Sequence, residues 1–279
     1  MRSHAFRIVN VFTVGDDRFS GNPLCVFEDA RGLEDAQMQA LARQMNLSET
    51  TFVVPSERAD ARVRIFTPSY EMPFAGHPTL GTASVIATGD HVVLEMMAGL
   101  VEVTRAGREW MLRTARPPET RPVDASRGDL ARMLGLPEGA IRDTPLWVST
   151  GVEQLVLPIA SSELVRAARP DRELLERWGF SATRQEAMAY LWAEDGAEWT
   201  VRFFFTLAGS VLEDPATGSA CANLGGWLVS TGHPLPVRAT LRQGDAVGRP
   251  SRLHMRVDAD RAIYVAGDVI ELGRGVVSV

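Results

Sequence analysis

The sequence predicts an α+β protein of two pseudo-symmetric halves, each a curved mixed sheet or barrel wrapped around one central helix. Residues 78–83 and 215–220 share the pattern Pro-x-x-Gly-[Thr/Ser]-Ala and lie about half of the 279-residue chain apart. Each copy opens a segment rich in Gly, Ala, Ser and Thr, with strand-like segments on both sides. Small side chains let a sheet approach a helix closely, which explains interior glycines that otherwise cost about 1 kcal/mol each.

The first half of the chain combines strand patterns with two helical segments. Residues 33–46 place apolar side chains at spacings of three and four, which is typical of an amphipathic helix. Residues 78–89 form the helix of small residues. Strands are predicted from their β-branched and aromatic content at 6–13, 24–27, 50–55, 61–68, 91–96, 100–105 and 109–114.

A proline-rich, charged segment at residues 116–124 is the predicted linker between the halves. It gives an N-terminal domain at 1–116, onto which the tail 266–279 is expected to pack, and a C-terminal domain at 117–265. Helices are predicted in the second half near 127–135, 161–168, 171–178 and 216–232. Strands are predicted near 146–149, 153–158, 187–193 and 199–206, with short strands from residue 237 onward.

Composition excludes several classes of function. The net charge of −6 argues against nucleic acid or an anionic membrane as the main partner. The chain contains no lysine, so it has neither a Schiff-base lysine nor a phosphate-loop lysine. The N-terminus becomes polar too early for a signal peptide and no apolar run reaches about 18 residues, so we expect a cytoplasmic protein. The two cysteines fit no zinc motif, and we expect no metal.

The repeated stretch has two interpretations. Each copy is predicted to begin a helix, where proline is well tolerated and Asp214 would cap the backbone, so the repeat can be purely structural. A helix start also offers free N–H groups and a partial positive charge that suit a carboxylate. Gly218 would let a ligand approach the backbone, and the Ser219 hydroxyl would add a donor.

The chain resembles the PhzF-like family, named for phenazine biosynthesis and related in fold to diaminopimelate epimerase. The resemblance rests on five segments in order: VFTVGDDRFSGNPLCVF (11–27), MQALARQMNLSETTFV (38–53), RIFTPSYEMPFAGHPTLGTA (64–83), EDPATGSACANLGGWL (213–228) and RQGDAVGRPSRL (242–253). It implies a homodimeric isomerase without metal or organic cofactor. It further implies that a small unsaturated or cyclic carboxylic acid binds in a cleft between the two domains.

The resemblance also implies roles for individual residues. Glu49 of the Ser-Glu-Thr motif corresponds to the family's general acid/base, and His77 and Asp214 would act with it as catalytic residues that bind and polarise the substrate. The implied substrate-binding residues are Gly76, Gly218 and Ser219. Related epimerases carry two cysteines at the helix starts, at the positions that the resemblance gives to His77 and Asp214. Cys25 and Cys221 lie elsewhere, so we expect them to be buried and a two-thiol racemase is disfavoured.

Two questions stay open from the sequence. The chain reads FFFTLAGSVLEDP at 203–215, where the family pattern has a further proline, and whether the altered loop at 206–212 changes substrate specificity or activity is the first question. A non-catalytic member that binds a small ligand or a protein is the alternative to an isomerase. Arg64 and Glu71 could reach the cleft, and a structural salt link between them is the equally supported alternative. Residues 242–253 are interpreted as turns.

Overall fold

The computed structural model describes residues 2–196 and 198–279. The chain forms two compact units, Met1–Arg113 with Ala266–Val279, and Thr114–Val265. The elements of the first half are β1 Ser3–Val11, β2 Asn22–Phe27, α1 Asp35–Met45, β3 Glu49–Val54, β4 Ala61–Phe66, β5 Glu71–Met72, α2 Gly76–Ile86, β6 His91–Met96, β7 Gly99–Ala106 and β8 Glu109–Arg113.

The remaining elements follow the same alternation of strands and short helices. They are β9 Glu119–Pro122, α3 Arg127–Met133, β10 Leu146–Ser149, β11 Glu153–Pro158, α4 Ser162–Ala167, α5 Arg172–Trp178, β12 Phe180–Ser181, β13 Glu186–Ala193, β14 Glu198–Leu207, β15 Ser210–Asp214, α6 Gly218–Ser230, β16 Val237–Gln243, β17 Ser251–Val257 and β18 Ile263–Ser278, with a 3₁₀ turn at Asp245–Val247. Among the described residues, no helix is long and apolar enough to cross a membrane.

The first unit is a closed mixed barrel around α2. Its strands pair in the order β18, β1, β2, β3, β4, β6, β7, β8, and β8 pairs again with β18. The β2–β3 and β4–β6 pairs are parallel and the others with a described register are antiparallel. The helix is buried along most of its length. A Cβ at Gly81 would lie 2.5 Å from Leu24 and 2.9 Å from Val11, so the barrel wall leaves room for hydrogen only.

The second unit repeats this order of strand pairings around α6. The β10–β11 pair is antiparallel, β11–β13 parallel, β13–β14 antiparallel, β14–β16 parallel and β16–β17 antiparallel. Helix α6 is buried over most of its length, as α2 is. The predicted α+β class, with two pseudo-symmetric halves that each surround a central helix, is therefore confirmed.

Matching ion pairs fix the register of the repeat. Arg64 of β4 donates to both carboxylate oxygens of Glu71 in β5, at 2.7 and 2.6 Å. Arg202 of β14 donates in the same way to Glu213 of β15, at 3.0 and 2.6 Å. In both units the central helix begins five residues after the glutamate. The salt link between Arg64 and Glu71 is present, and it has an internal counterpart.

This register corrects the alignment of the two copies. The corresponding segments are residues 71–76 and 213–218, which share the pattern Glu-x-Pro-x-x-Gly. Pro215 therefore corresponds to Pro73 and lies before its helix, whereas Pro78 is the third residue of α2. The sequence comparison matched Pro78 with Pro215 because both precede a Gly-[Thr/Ser]-Ala, but strand pairing matches the glutamates instead.

Three other expectations differ from the structure. The proposed linker at 116–124 contains a strand, since β9 pairs with β10. The C-terminal segment contains the 16-residue strand β18 rather than short strands alone. The altered loop at 206–212 is a tight hairpin between β14 and β15, in which Ala208 and Gly209 have φ of 49° and 77°. Two positive φ values in a two-residue turn match the twist of the flanking strands.

Candidate active site

Glu49 is the first residue of β3, directly after the loop that follows α1. It pairs in register with Leu24 of the parallel strand β2. The side chain is 16% exposed, so the carboxyl group is largely removed from solvent. The pairing of β2 with β3 therefore holds the backbone of Glu49 in place at the start of β3.

His77 is the second residue of α2, and its ring faces Glu49. The Nδ1 atom of His77 lies 3.5 Å from Oε2 of Glu49, which is longer than an ordinary hydrogen bond. The His77 side chain is 5% exposed. The first barrel thus brings together two of the three catalytic residues that the sequence analysis named.

The charge state of His77 follows from its burial. Burial lowers the pKa of His77 to about 3, and the opposing effect of a hydrogen bond to the backbone of Pro23 does not offset it. The imidazole is therefore neutral at pH 7 and its contact with Glu49 is not an ion pair. The Pro23 backbone can only accept a hydrogen bond, and Nε2 of His77 has no hydrogen-bond partner among the described residues, so Nδ1 carries the proton of the neutral ring.

Asp214 ends β15 and is held by polar side chains of the second unit. The hydroxyl of Thr217 donates to Oδ2 of Asp214 at 2.5 Å. Nε2 of Gln243 donates to the Asp214 carbonyl at 2.9 Å and to the Thr217 hydroxyl at 3.0 Å, while the Thr217 N–H donates to Oε1 of Gln243 at 3.2 Å. Thr217, rather than Asp214, is the N-cap residue of α6, which corrects the predicted cap.

The turn after Gln243 supports the same segment. Gly244 has φ of 81°, and a Cβ there would lie 2.5 Å from the carbonyl oxygen of Pro215. Only glycine combines this backbone conformation with so close an approach. Residues 242–253 therefore do more than form turns, because their first residues hold the chain on either side of Pro215.

Ser219 is the second residue of α6 and is half-buried. Nε2 of Gln154, a buried residue of β11, donates to the Ser219 hydroxyl oxygen at 2.8 Å. Ser219 occupies the position in α6 that His77 occupies in α2. Asp214 corresponds instead to Met72, the last residue of β5, so His77 and Asp214 are not internal equivalents.

The glycines named from the sequence each begin a central helix. Gly76 is the first residue of α2 and Gly218 the first residue of α6, and both are buried. The N–H groups of a first helical turn lack acceptors within their helix. Both helix starts can therefore offer backbone donors to a negatively charged group.

Both thiols are buried and protonated. Burial raises the pKa of Cys25 to about 12 and raises that of Cys221 strongly. Cys221 is the fourth residue of α6, which is closer to the helix start than the two turns expected. A protonated thiol is a poor base, so the geometry disfavours thiol chemistry at either position.

Gln154 and Gln243 escaped the sequence analysis. Each makes its contacts with residues distant in the chain, and glutamine carries no chemical signature of its own. The only available signal was the segment RQGDAVGRPSRL, which we interpreted as turns. Among the described residues, no group of three or more His, Cys, Asp or Glu could hold a metal ion.

Known proteins match nearly the whole length of this chain. A family model described as phenazine biosynthesis-like protein (PhzC-PhzF) matches residues 9–275. An uncharacterized isomerase of Pasteurella multocida is 38% identical over 278 residues, covering 98% of this chain and 93% of that protein. The trans-2,3-dihydro-3-hydroxyanthranilate isomerase of Pseudomonas chlororaphis is 34% identical, covering 98% of this chain and 99% of that protein.

Solved structures show the same fold. A phenazine biosynthesis protein of the PhzF family from Bacillus anthracis superposes with a TM-score of 0.84 at 23% identity, covering 100% of both chains. A hydroxyproline epimerase from Agrobacterium vitis superposes with a TM-score of 0.66 at 14% identity, covering 99% of this chain and 92% of that chain. The fold is thus shared with epimerases of low sequence identity.

Proposed function

The chain belongs to the phenazine biosynthesis-like (PhzC-PhzF) family and is an isomerase, and we propose that Glu49 moves a proton between two carbons of a small unsaturated carboxylic acid. The observation that carries this proposal is the contact between Glu49 and His77. A largely buried carboxyl group faces a buried, neutral imidazole, so no fixed positive charge beside it opposes protonation of the carboxylate.

The proposed reaction conserves the atoms of the substrate. The Glu49 carboxylate removes a proton from a carbon next to a conjugated double bond, and the C–H electron pair enters the conjugated system. The Glu49 carboxylic acid then returns the proton to a different carbon of that system. Glu49 ends as a carboxylate, the double bonds have moved, and no oxidant or reductant is consumed.

The neutral state of His77 suits both halves of this cycle. When Glu49 is a carboxylate, a protonated Nδ1 can donate to it. When Glu49 is a carboxylic acid, the neutral ring adds no positive charge that would drive the proton off. A cationic imidazole would favour the carboxylate alone and would hinder proton uptake.

We propose that Asp214, Ser219 and the backbone at Gly76 and Gly218 take part in binding the substrate. Backbone N–H groups at Gly76 and Gly218 would stabilise its carboxylate and the negative charge that develops in the transition state. The hydrogen bonds that Thr217 and Gln243 donate to Asp214 support a defined position for this residue. The chain is further proposed to act as a cytoplasmic homodimer in a biosynthetic process.

The substrate to test first is trans-2,3-dihydro-3-hydroxyanthranilate, on which a relative of 34% identity is named to act. It is a small cyclic, unsaturated carboxylic acid, which is the proposed class. Turnover by the unaltered chain, followed by ultraviolet absorbance, should be lost in Glu49→Gln. Glu57→Gln, at an exposed position of the same unit, is the matched control.

The two variants should give opposite results. We expect Glu57→Gln to retain full activity and Glu49→Gln to lose it while its circular dichroism spectrum stays unchanged. Full turnover by a folded Glu49→Gln variant would overturn the proposed role of Glu49. His77→Ala is expected to lower kcat strongly, because it removes the neutral ring that faces Glu49 and is compatible with both of its charge states.

A further inference from the structure

A chain of hydrogen-bonded amide groups runs from Thr150, the residue after β10, to Ser219. The Thr150 N–H donates to Oδ1 of Asn223 at 2.8 Å, and Nδ2 of Asn223 donates to Oε1 of Gln154 at 2.6 Å. Nε2 of Gln154 donates to the Ser219 hydroxyl oxygen at 2.8 Å. Gln154 is 1% exposed and Asn223 is fully buried, so water does not compete with these bonds.

The backbone fixes the direction of every bond in this chain. The Thr150 N–H can only donate, so the atom of Asn223 that faces it must be the oxygen. The Val152 carbonyl can only accept, and it receives a hydrogen bond from Nδ2 of Asn223 at 2.8 Å. Both contacts require the same orientation of the Asn223 amide, which in turn sets the orientation of Gln154.

The orientation of Gln154 determines how the Ser219 hydroxyl is used. Because Gln154 presents its NH₂ group, the Ser219 oxygen accepts and the hydroxyl proton is directed elsewhere. No described residue accepts that proton in a hydrogen bond. Without Gln154, the hydroxyl could rotate and offer a lone pair in place of its proton.

We infer that Gln154 is a positioning residue that keeps Ser219 as a hydrogen-bond donor for a carboxylate oxygen of the substrate. This inference rests on the proposed function and deepens it. Asn223 and Thr150 hold Gln154 in the required orientation. The second unit would therefore select a ligand group that accepts hydrogen bonds at Ser219, and disfavour one that donates them.

The test is a double-mutant cycle on ligand binding. The probe is 3-hydroxyanthranilate, an aromatic carboxylate that lacks the saturated ring carbons and so binds without turnover. Its Kd is measured by titration calorimetry for the unaltered chain, Gln154→Met, Ser219→Ala and the double variant. Thr231→Val, which removes a hydroxyl at the other end of α6, is the control.

Each single variant should weaken binding about tenfold, which is the effect of losing one hydrogen bond to a charged group. The double variant should bind no more weakly than Ser219→Ala alone, because Gln154 acts only through Ser219. A merely structural role for Gln154 would instead make the two losses multiply, and that result would overturn the inference. Thr231→Val should bind like the unaltered chain.

The cycle separates this inference from the proposed function. Binding of 3-hydroxyanthranilate involves no proton transfer, so the cycle is expected to give the same result in a Glu49→Gln background. Turnover without Glu49 would contradict the proposed function and leave the cycle standing. If the unaltered chain failed to bind the probe at millimolar concentration, the carboxylate role of Ser219 would be wrong.

Discussion

The Nδ1 atom of His77 lies 3.5 Å from Oε2 of Glu49, and both side chains are largely buried. Because burial lowers the pKa of His77 to about 3, this is a contact between a neutral ring and a carboxyl group. The neutrality of His77 has two consequences that can be measured separately. One concerns the pH dependence of stability, and the other concerns proton transfer by Glu49.

The free energy of unfolding should fall as the pH drops below 6.5. The unfolded chain binds a proton at His77 near its ordinary pKa of about 6.5, whereas the folded chain binds it only near pH 3. Between these values the unfolded state binds more protons, so stability increases with pH. Between pH 7 and pH 4, protonation of His77 should lower the free energy of unfolding by about 3 kcal/mol.

Urea unfolding at pH 7 and pH 4 checks this value. His77→Gln removes the titrating group, so it should lose about 3 kcal/mol less than the unaltered chain over this interval. His91→Gln, at an exposed position, controls for the loss of a histidine as such. Equal losses in the unaltered chain and in His77→Gln would show that His77 is not held neutral.

Gln243→Met should lower both stability and turnover. The substitution leaves the Thr217 N–H without its acceptor and removes the donor to the Asp214 carbonyl, at an expected cost of about 1–3 kcal/mol. Loosening Asp214 should also reduce kcat/KM for the trial substrate. Gln44→Met, exposed on α1, should stay within about 0.5 kcal/mol of the unaltered chain. An unchanged urea midpoint and kcat/KM in Gln243→Met would contradict the inference that Gln243 holds Thr217 and Asp214 in position.

Gly81→Ala should destabilise the first unit. The added methyl group would lie 2.5 Å from Leu24 and 2.9 Å from Val11, which overpacks the barrel at a cost of about 1–3 kcal/mol. Gly89→Ala is the matched control, since a Cβ there meets nothing within 4 Å. Equal urea midpoints for the two variants would show that the wall does not close on α2.

Ala208→Asn should stabilise the hairpin between β14 and β15. Ala208 has φ of 49°, a region that costs a non-glycine residue about 1–2 kcal/mol and that asparagine tolerates better. Asn-Gly is also the preferred pair for this two-residue turn. Thermal unfolding should show a gain of up to about 1 kcal/mol. A loss of stability would mean that the turn has another conformation.

Much of the fold is predictable because its signals are local. The strand expected at 91–96 is His91–Met96, and the helix expected at 33–46 is Asp35–Met45. Apolar periodicity and turn residues report such elements directly. The register of the repeat was not predictable in this way, because it depends on which strand residue faces Glu71 and which faces Glu213.

The candidate site was only partly predictable. Glu49 and His77 were named through the family resemblance, since an isolated Ser-Glu-Thr is an ordinary polar connection. Nothing local marks Gln154 or Gln243, whose roles arise when distant segments of one unit fold together. The β15 hairpin was interpreted as a loop because Ala208 gives no sign of its positive φ.

The central claim is that Glu49 carries the proton, and solvent isotope incorporation tests it most directly. In D₂O the proton held by Glu49 exchanges with solvent whenever exchange is faster than its return to the substrate. Incubation of trans-2,3-dihydro-3-hydroxyanthranilate with the unaltered chain should therefore give some product with deuterium at the newly protonated carbon, read by NMR. The folded Glu49→Gln variant should incorporate none, while Glu57→Gln should match the unaltered chain. Deuterium incorporation at the unaltered rate by Glu49→Gln would contradict the account.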